Sequence, residues 1–171
     1  HAIELAKVIK AQIVLLHTFE LPFIDNQFNS IDYKYLYDTT ELSEFELFKD
    51  QMPKLHEIML ERQLDNIVLK HRLQIGDLEH AIKECIATDV IDFVVMGTAG
   101  ASGWKEFFIG TNTADVLTAV SVPVLSVPFD SKYQSIDLIG FTTRFREKDR
   151  LALIEFLKFA KLNNAIIKCL Y

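Results

Sequence analysis

Short, almost unbroken apolar runs recur along this chain, and the segments between them have a different period. AQIVLLHTF (11–19) is a nearly continuous apolar run, which reads as a strand buried on both faces of a parallel sheet. NIVLKHRLQIG (66–76), VIDFVVMGT (90–98) and VPVLSVP (122–128) read as further strands. Between the runs the pattern turns helical. Leu42, Phe45, Met52, Leu55 and Met59 recur at helical spacing to about residue 64, and Gly76–Asp77 turns into a helix over 78–87. A further helix is predicted from Thr111 to Val120, and Ile3, Ala6 and Ile9 mark the end of an amphipathic helix at the N-terminus. Alternation of this kind predicts an α/β fold, a doubly wound parallel sheet with right-handed crossovers.

Local signals refine the outline. Residues 20–40, with Pro22, Phe23, Phe28, Tyr33, Tyr35 and Tyr37, read as a long loop pinned by a few rings. Ser43–Glu46 has capping-box spacing and is taken as the start of the next helix. Pro53 lacks an N–H and should kink or break that helix. Pro123 and Pro128 suit a sheet-edge strand. After residue 130 the pattern restarts, with a strand at 135–143, a helix at 146–162 and a strand at 163–171. The charge changes there too. Residues 1–130 carry 10 basic and 20 acidic side chains, and residues 131–171 carry 8 and 4. A boundary is therefore placed at 129–134.

The acidic first part argues against nucleic acid, which needs clustered Lys and Arg. No apolar run approaches the roughly 20 residues of a membrane helix. Half the residues are hydrophobic, as in a packed core. Cys85 and Cys169 stand in unrelated contexts and suggest buried reduced thiols of a cytoplasmic protein, with neither a disulfide framework nor a metal site.

Four of the six glycines, Gly97, Gly100, Gly103 and Gly110, fall between the run ending near 98 and the helix beginning at Thr111. Glycine lets the backbone adopt positive φ and lets a ligand approach where a Cβ would stand. Exposed amides beside a helix N-terminus form a cradle for phosphate, and the C-terminal end of a central strand is where open α/β sheets bind ligands. Thr111 could cap the helix or donate to a phosphate oxygen. A tight turn with no ligand explains the same spacing about as well. Neither GxxxxGK[ST] nor GxGxxG after a first strand is present.

The stretch MGTAGASGWKEFFIGTNTADVLTAVSVPVLSVP (96–128) resembles the universal stress protein family. Nucleotide-binding members carry G-x2-G-x9-G-[ST], and Gly97, Gly100 and Gly110–Thr111 satisfy it without a gap. IVLLHTF (13–19) is similar to the family's second strand, and LQIGDLEHAIKECI (73–86) to its third strand, turn and helix. The resemblance covers residues 1–128, and residues 135–171 look like the opening of a second copy, as in tandem members. It implies an adenine nucleotide alpha hydrolase-like, Rossmann-like five-stranded sheet whose first strand is missing from the chain. Residues 135–142 are a candidate to fill that place.

Further expectations follow from the resemblance. Gly97, Gly100, Gly110, Thr111 and Asn112 would hold the phosphates and ribose of ATP or AMP, with or without Mg, and Thr18 would set a main-chain group against adenine. In the partial second copy Thr143 stands where the family's base-proximal aspartate aligns, and Ala99 stands where some members have a basic residue. The partners implied are the nucleotide and a second domain or a homodimer, joined through the edge strand 122–127.

No catalytic constellation stands out. His17, His56, His71 and His80 are spread over two strands and two helices, and His17, in an apolar strand, reads as a satisfied core histidine. Lys105 and Glu106 read as solvated, Trp104, Phe107 and Phe108 as packing, and Asp115 as a helix-face charge. The chain is thus expected to be a nucleotide-binding regulatory module of stress response. The alternatives are an interaction protein that keeps the glycine loop as a turn and, less well supported, a nucleotide hydrolase or transferase.

Overall fold

A computed structural model describes residues 1–21, 30–64, 66–98, 111–128 and 130–171, with the side chains of 30–33 excepted. Along the chain the elements are α1 (Ala2–Ile9), β1 (Ile13–Phe19), α2 (Ser30–Glu61), β2 (Leu69–Ile75), α3 (Leu78–Thr88), β3 (Val94–Thr98), α4 (Thr111–Ala119), β4 (Val124–Pro128), β5 (Leu138–Thr142), α5 (Glu147–Asn163) and β6 (Ile166–Leu170). They divide into two compact units, Gln12–Ser131 and His1–Ala11 with Lys132–Tyr171.

In the unit Gln12–Ser131, β1 pairs with β2 in parallel, Ile13 opposite Leu69 and Phe19 opposite Ile75. β3 pairs with β4 in parallel, Val94 opposite Val124 and Thr98 opposite Pro128. Parallel neighbours need a crossover of a dozen residues or more, and here α2 and α4 lie in the two connections. Pro123 can offer only its carbonyl, and Val94 N–H uses it at 2.9 Å to extend the ladder. Side chains alternate across a strand, so the β1–β2 ladder has two chemically distinct faces. His17 and His71 meet α2 on one face; Arg72 and Gln74 reach Asp89 and Glu84 of the α3 segment on the other. Helical segments thus meet both faces of this ladder.

The single five-stranded sheet expected from the sequence is not formed. The strands make three two-stranded sheets, β1–β2, β3–β4 and β5–β6. Among the described residues no strand bonds to the second edge of β1 or of β3, so those ladders stay separate. The segment 135–142 supplies β5, which pairs with β6.

Helix α2 departs most from the sequence reading. It starts at Ser30, so Ser43 and Glu46 lie in mid-helix, and residues 30–40 are its first turns where a loop is expected. The capping-box spacing marks no boundary because the residues before it, rich in Tyr, Leu, Lys and Glu, continue the same helical path. Thr39 Oγ1 donates back to the carbonyls of Tyr35 and Leu36 at 2.8 and 3.0 Å. Pro53 lies inside the helix without ending it. It removes the donor that would serve the Lys49 carbonyl.

Four helices turn into the following segment by one device. A left-handed residue follows the helix, and the next amide donates back five residues. Gln63 (φ 55°) precedes Leu64 N–H to Met59 O at 2.8 Å, and Asn164 (φ 55°) precedes Ala165 N–H to Ala160 O at 2.8 Å. Lys10 and Ala11 close α1 in the same way, as Val90 and Ile91 close α3. This pattern satisfies the last carbonyls and favours an apolar pair across the turn. Leu64, 0 % exposed, and Met59, 3 %, are such a pair. Val90 therefore caps a helix and does not begin a strand, which shortens the expected 90–98 strand to Val94–Thr98.

In the other unit β5 and β6 are parallel, with Leu138 opposite Ile166 and Thr142 opposite Leu170. Phe141 meets Phe156 of α5 edge-on at 5.6 Å, and Leu5, Ala6, Phe141 and Ala160 are buried. Leu138, Ile166 and Leu170 share the opposite sheet face and are exposed. Cys169 is exposed where a buried thiol is expected; Cys85 is buried as expected. At the turn into α5, Asp149 Oδ2 accepts from the amides of Arg144 (2.9 Å) and Arg146 (3.2 Å) and from Thr143 Oγ1 (3.2 Å). Those two amide bonds, ahead of the Arg146 charge and the Thr143 hydroxyl, hold the Asp149 carboxyl below the usual carboxylate range.

Three substitutions check this account by thermal or urea unfolding. Leu64→Ala should cost about 3 kcal/mol, the usual loss for a buried leucine. Val90→Asn should stabilise by about 1 kcal/mol, because a β-branched residue is penalised at positive φ and Asn tolerates it. The depressed Asp149 value means that its contribution is complete above the ordinary Asp range, near pH 4, and disappears as pH falls through the folded-state value. Asp149→Asn should lower the melting midpoint at pH 7 and flatten its decline below about pH 4. An unchanged acid profile would show that the carboxylate does not organise this turn.

Candidate functional site

The sequence places the chemistry where β3 ends and α4 begins, and the described residues flank that point. Gly97 is the penultimate residue of β3, opposite Val127, and is exposed. It has no positive φ, so backbone conformation does not require glycine here. Among the described residues, a Cβ built on Gly97 would meet nothing within 4 Å. The described residues therefore leave the main chain open to approach at this position. Thr98 Oγ1 turns to the Val127 carbonyl at 3.4 Å, towards the ladder.

On the far side of the loop, Thr111 and Asn112 are the first two residues of α4, and both are exposed. Thr111 is already helical, so it is not the cap. Its hydroxyl and the amides of the first turn belong to the helix end that carries partial positive charge. Thr113 and Val116, 3 % and 1 % exposed, anchor the helix beneath. The orientation of this turn thus rests on buried contacts. Gly100 and Gly110 lie outside the described residues, as do Ala99, Gly103, Trp104, Lys105, Glu106, Phe107 and Phe108.

Thr18 occupies the matching position in the other ladder, next to last in β1 and opposite Gln74. Ladder pairing brings Gly97 to Val127 and Thr18 to Gln74; it does not bring Thr18 to Gly97. Beside Thr18, Gln74 is half engaged: its buried Oε1 has no hydrogen-bond partner among the described residues. Gln74 Nε2 donates to Glu84 Oε2 at 2.5 Å. Arg72 forks onto Asp89, Nη2 to Oδ1 at 2.9 Å and Nε to Oδ2 at 2.5 Å. The hydrogen bond to Asp89 raises the Arg72 value above its ordinary one, and burial pushes the Cys85 thiol up. The guanidinium is committed to a carboxylate, so it is not a free anion ligand.

The histidines form no catalytic set. His17 Nε2 lies 3.1 Å from Glu44 Oε2 and its ring stacks on Phe48 at 6.2 Å. It has a partner, as expected, but its side chain is 43 % exposed and so is not a core residue, and the partner is a carboxylate 27 residues away that no local spacing announces. Asp115 is an exposed helix-face charge, as expected. Among the described residues no group of three or more His, Cys, Asp or Glu could hold a metal, and no helix is long and apolar enough to cross a membrane. The sequence reading missed the Arg72–Asp89 fork. Its one local signal is Asp89 at the end of a helix that follows an Arg-bearing strand.

The family model described as the universal stress protein family matches residues 1–128. Solved structures agree in fold. Universal stress protein UspA from Lactobacillus plantarum is similar at 18 % identity and TM-score 0.56, over 74 % of this chain and 83 % of that one. A universal stress protein family member from Burkholderia pseudomallei gives 19 % and 0.51, over 74 % and 81 %. A universal stress protein from Pseudomonas aeruginosa UCBPP-PA14 gives 11 % and 0.54, over 99 % of this chain and 62 % of that one. Among curated proteins none is significantly similar in sequence. With three-quarters of its length matched by the family model and the same fold in these relatives, the chain belongs to the universal stress protein family.

Proposed function

We propose that this stress protein binds an adenine nucleotide, ATP or AMP, at the C-terminal end of β3, and acts as a regulatory module. The carrying observation is the open space at Gly97, on the strand end that leads by G-x2-G-x9-G-T into the first turn of α4. Amides around Gly97, Gly100 and Gly110, with Thr111 and Asn112, would hold phosphate and ribose. Missing side chains admit the anion, and the helix end favours negative charge. Thr18 would present main chain to the base. Any Mg would arrive with the nucleotide, since the described residues offer no carboxylate cluster to hold it.

Residues 135–171 are read as the opening of a second domain of the same kind. The match of 99 % of the chain within 62 % of the Pseudomonas protein supports that reading. The open edges of β1 and β3 support a further parallel strand joining the two ladders, from residues 135–142 or from a partner. The edge of β4, limited at both ends by proline, suits pairing with a second domain or a second copy.

Isothermal titration with ATP and AMP tests the reading. Gly100→Val should abolish measurable binding and leave the circular dichroism unchanged. Gly97→Ala is the finer probe. With nothing near its new methyl group, it should leave stability unchanged or raised by about 0.5 kcal/mol. It should nevertheless weaken nucleotide about tenfold, because the methyl group enters the space assigned to the ligand. Equal affinity in both variants would remove nucleotide from the function and favour the interaction protein.

A further inference from the structure

The remaining surface features carry less than one cluster on the outer face of the β1–β2 ladder. Glu44, Phe45 and Phe48 of α2 lie against His17 of β1 and His71 of β2. His17 Nε2 is 3.1 Å from Glu44 Oε2. Phe48 contacts both imidazoles, with centroids 6.2 Å from His17 and 5.7 Å from His71, and Phe45 lies 6.5 Å from His71. The part of α2 before Pro53 thus meets the sheet through two histidines, two aromatic rings and one carboxylate.

Three facts make this a device and not only packing. Histidine is the side chain whose charge normally changes between pH 5 and 8. Gaining that charge helps every contact described: the Glu44 hydrogen bond becomes charge-assisted, and an imidazolium is attracted to a neighbouring ring face. Among the described residues this part of the helix is lightly held: Leu42, Phe45 and Leu47 are exposed, Leu36, Thr40 and Met52 are half-buried, and the buried anchor Met59 comes after Pro53. The other ionisable groups are few. At the alternate positions of β1 and β2 that share this face, Ile13, Leu15, Phe19, Leu69, Leu73 and Ile75 are all apolar. On α2, Glu41 stands one turn before Glu44, and Lys49 follows Phe48; both are exposed.

We propose that His17 and His71 are a proton-operated latch: acidification tightens the hold of residues 41–52 of α2 on the β1–β2 ladder. His17 and Glu44 are 43 % and 28 % exposed, so the gain is that of a partly screened pair, about two- to fivefold in local closure. Thr18 follows His17 and belongs to the opposite face of the strand. The test needs no nucleotide, so its failure and that of the nucleotide assignment are separate.

Amide hydrogen exchange of the whole chain, corrected for intrinsic rates, is measured at pH 7.5 and 5.5. The histidine-free segment 111–119 is the internal control. Protection of 41–52 should rise about two- to fivefold relative to 111–119 at pH 5.5, and the rise should shrink in 0.5 M NaCl as the pair is screened. His17→Gln and Glu44→Gln should each remove most of it. Relative protection that is unchanged, or lower at pH 5.5 because two imidazolium charges repel, overturns the latch in the wild-type protein alone. A rise that survives both substitutions overturns it as well.

Discussion

Two parallel strands cannot be joined by a tight turn, and most of this structure follows from that restriction. Each paired strand must be left, crossed over by a helix and re-entered in the same direction. The helix end that returns the chain is therefore where geometry is most exacting. α1, α2, α3 and α5 meet it alike, with a left-handed residue and a backward hydrogen bond, although none of the four residues concerned is glycine. Glycine is kept for the turn after β2, where Gly76 has φ 106°. There Asp77 caps α3 by accepting from the His80 amide at 3.0 Å.

The strands were legible from their short apolar runs, although β2, β5 and β6 each leave residues exposed. Their ends were less so. Val90 and Ile91 look like strand residues by composition, and only the hydrogen bonds of the α3 terminus reveal them as a cap. α2 was hidden for a related reason. Its first half lies largely in solvent, so no apolar stripe marks it, and its tyrosines suggest a loop as readily as a helix. Sheet assembly was the least legible feature. The alternation of elements is the same whether strands join in one sheet or in pairs, because ladder partners are long-range choices.

Around the candidate site, Gly97 is next to last in β3 and Thr111 opens α4. Composition could not announce how the neighbouring charges are spent. Arg72 and Asp89 pair as opposite charges, and at the turn into α5 the Asp149 carboxylate is held by hydrogen bonds from Thr143 and backbone amides. At that turn the chain's own carboxylate fills the kind of nest in which an outside anion would otherwise sit. Among the described residues nothing stands within 4 Å of a Cβ built at Gly97, near the end of β3, and in this the β3–α4 junction differs from the β5–α5 one.

Pro53 gives α2 an uneven construction. Beyond it, Met59 and Leu64 tie the helix into buried apolar contacts; before it, the helix rests on a shallow, partly solvated cluster. A missing hydrogen bond lies between them, at the Lys49 carbonyl. The helix is thus two levers on one axis, and the outer lever can lift from the sheet while the inner one stays seated. Transient detachment of that arm is a far smaller event than global unfolding, and it would bare the His17 side of β1 without disturbing the strand register that fixes Thr18.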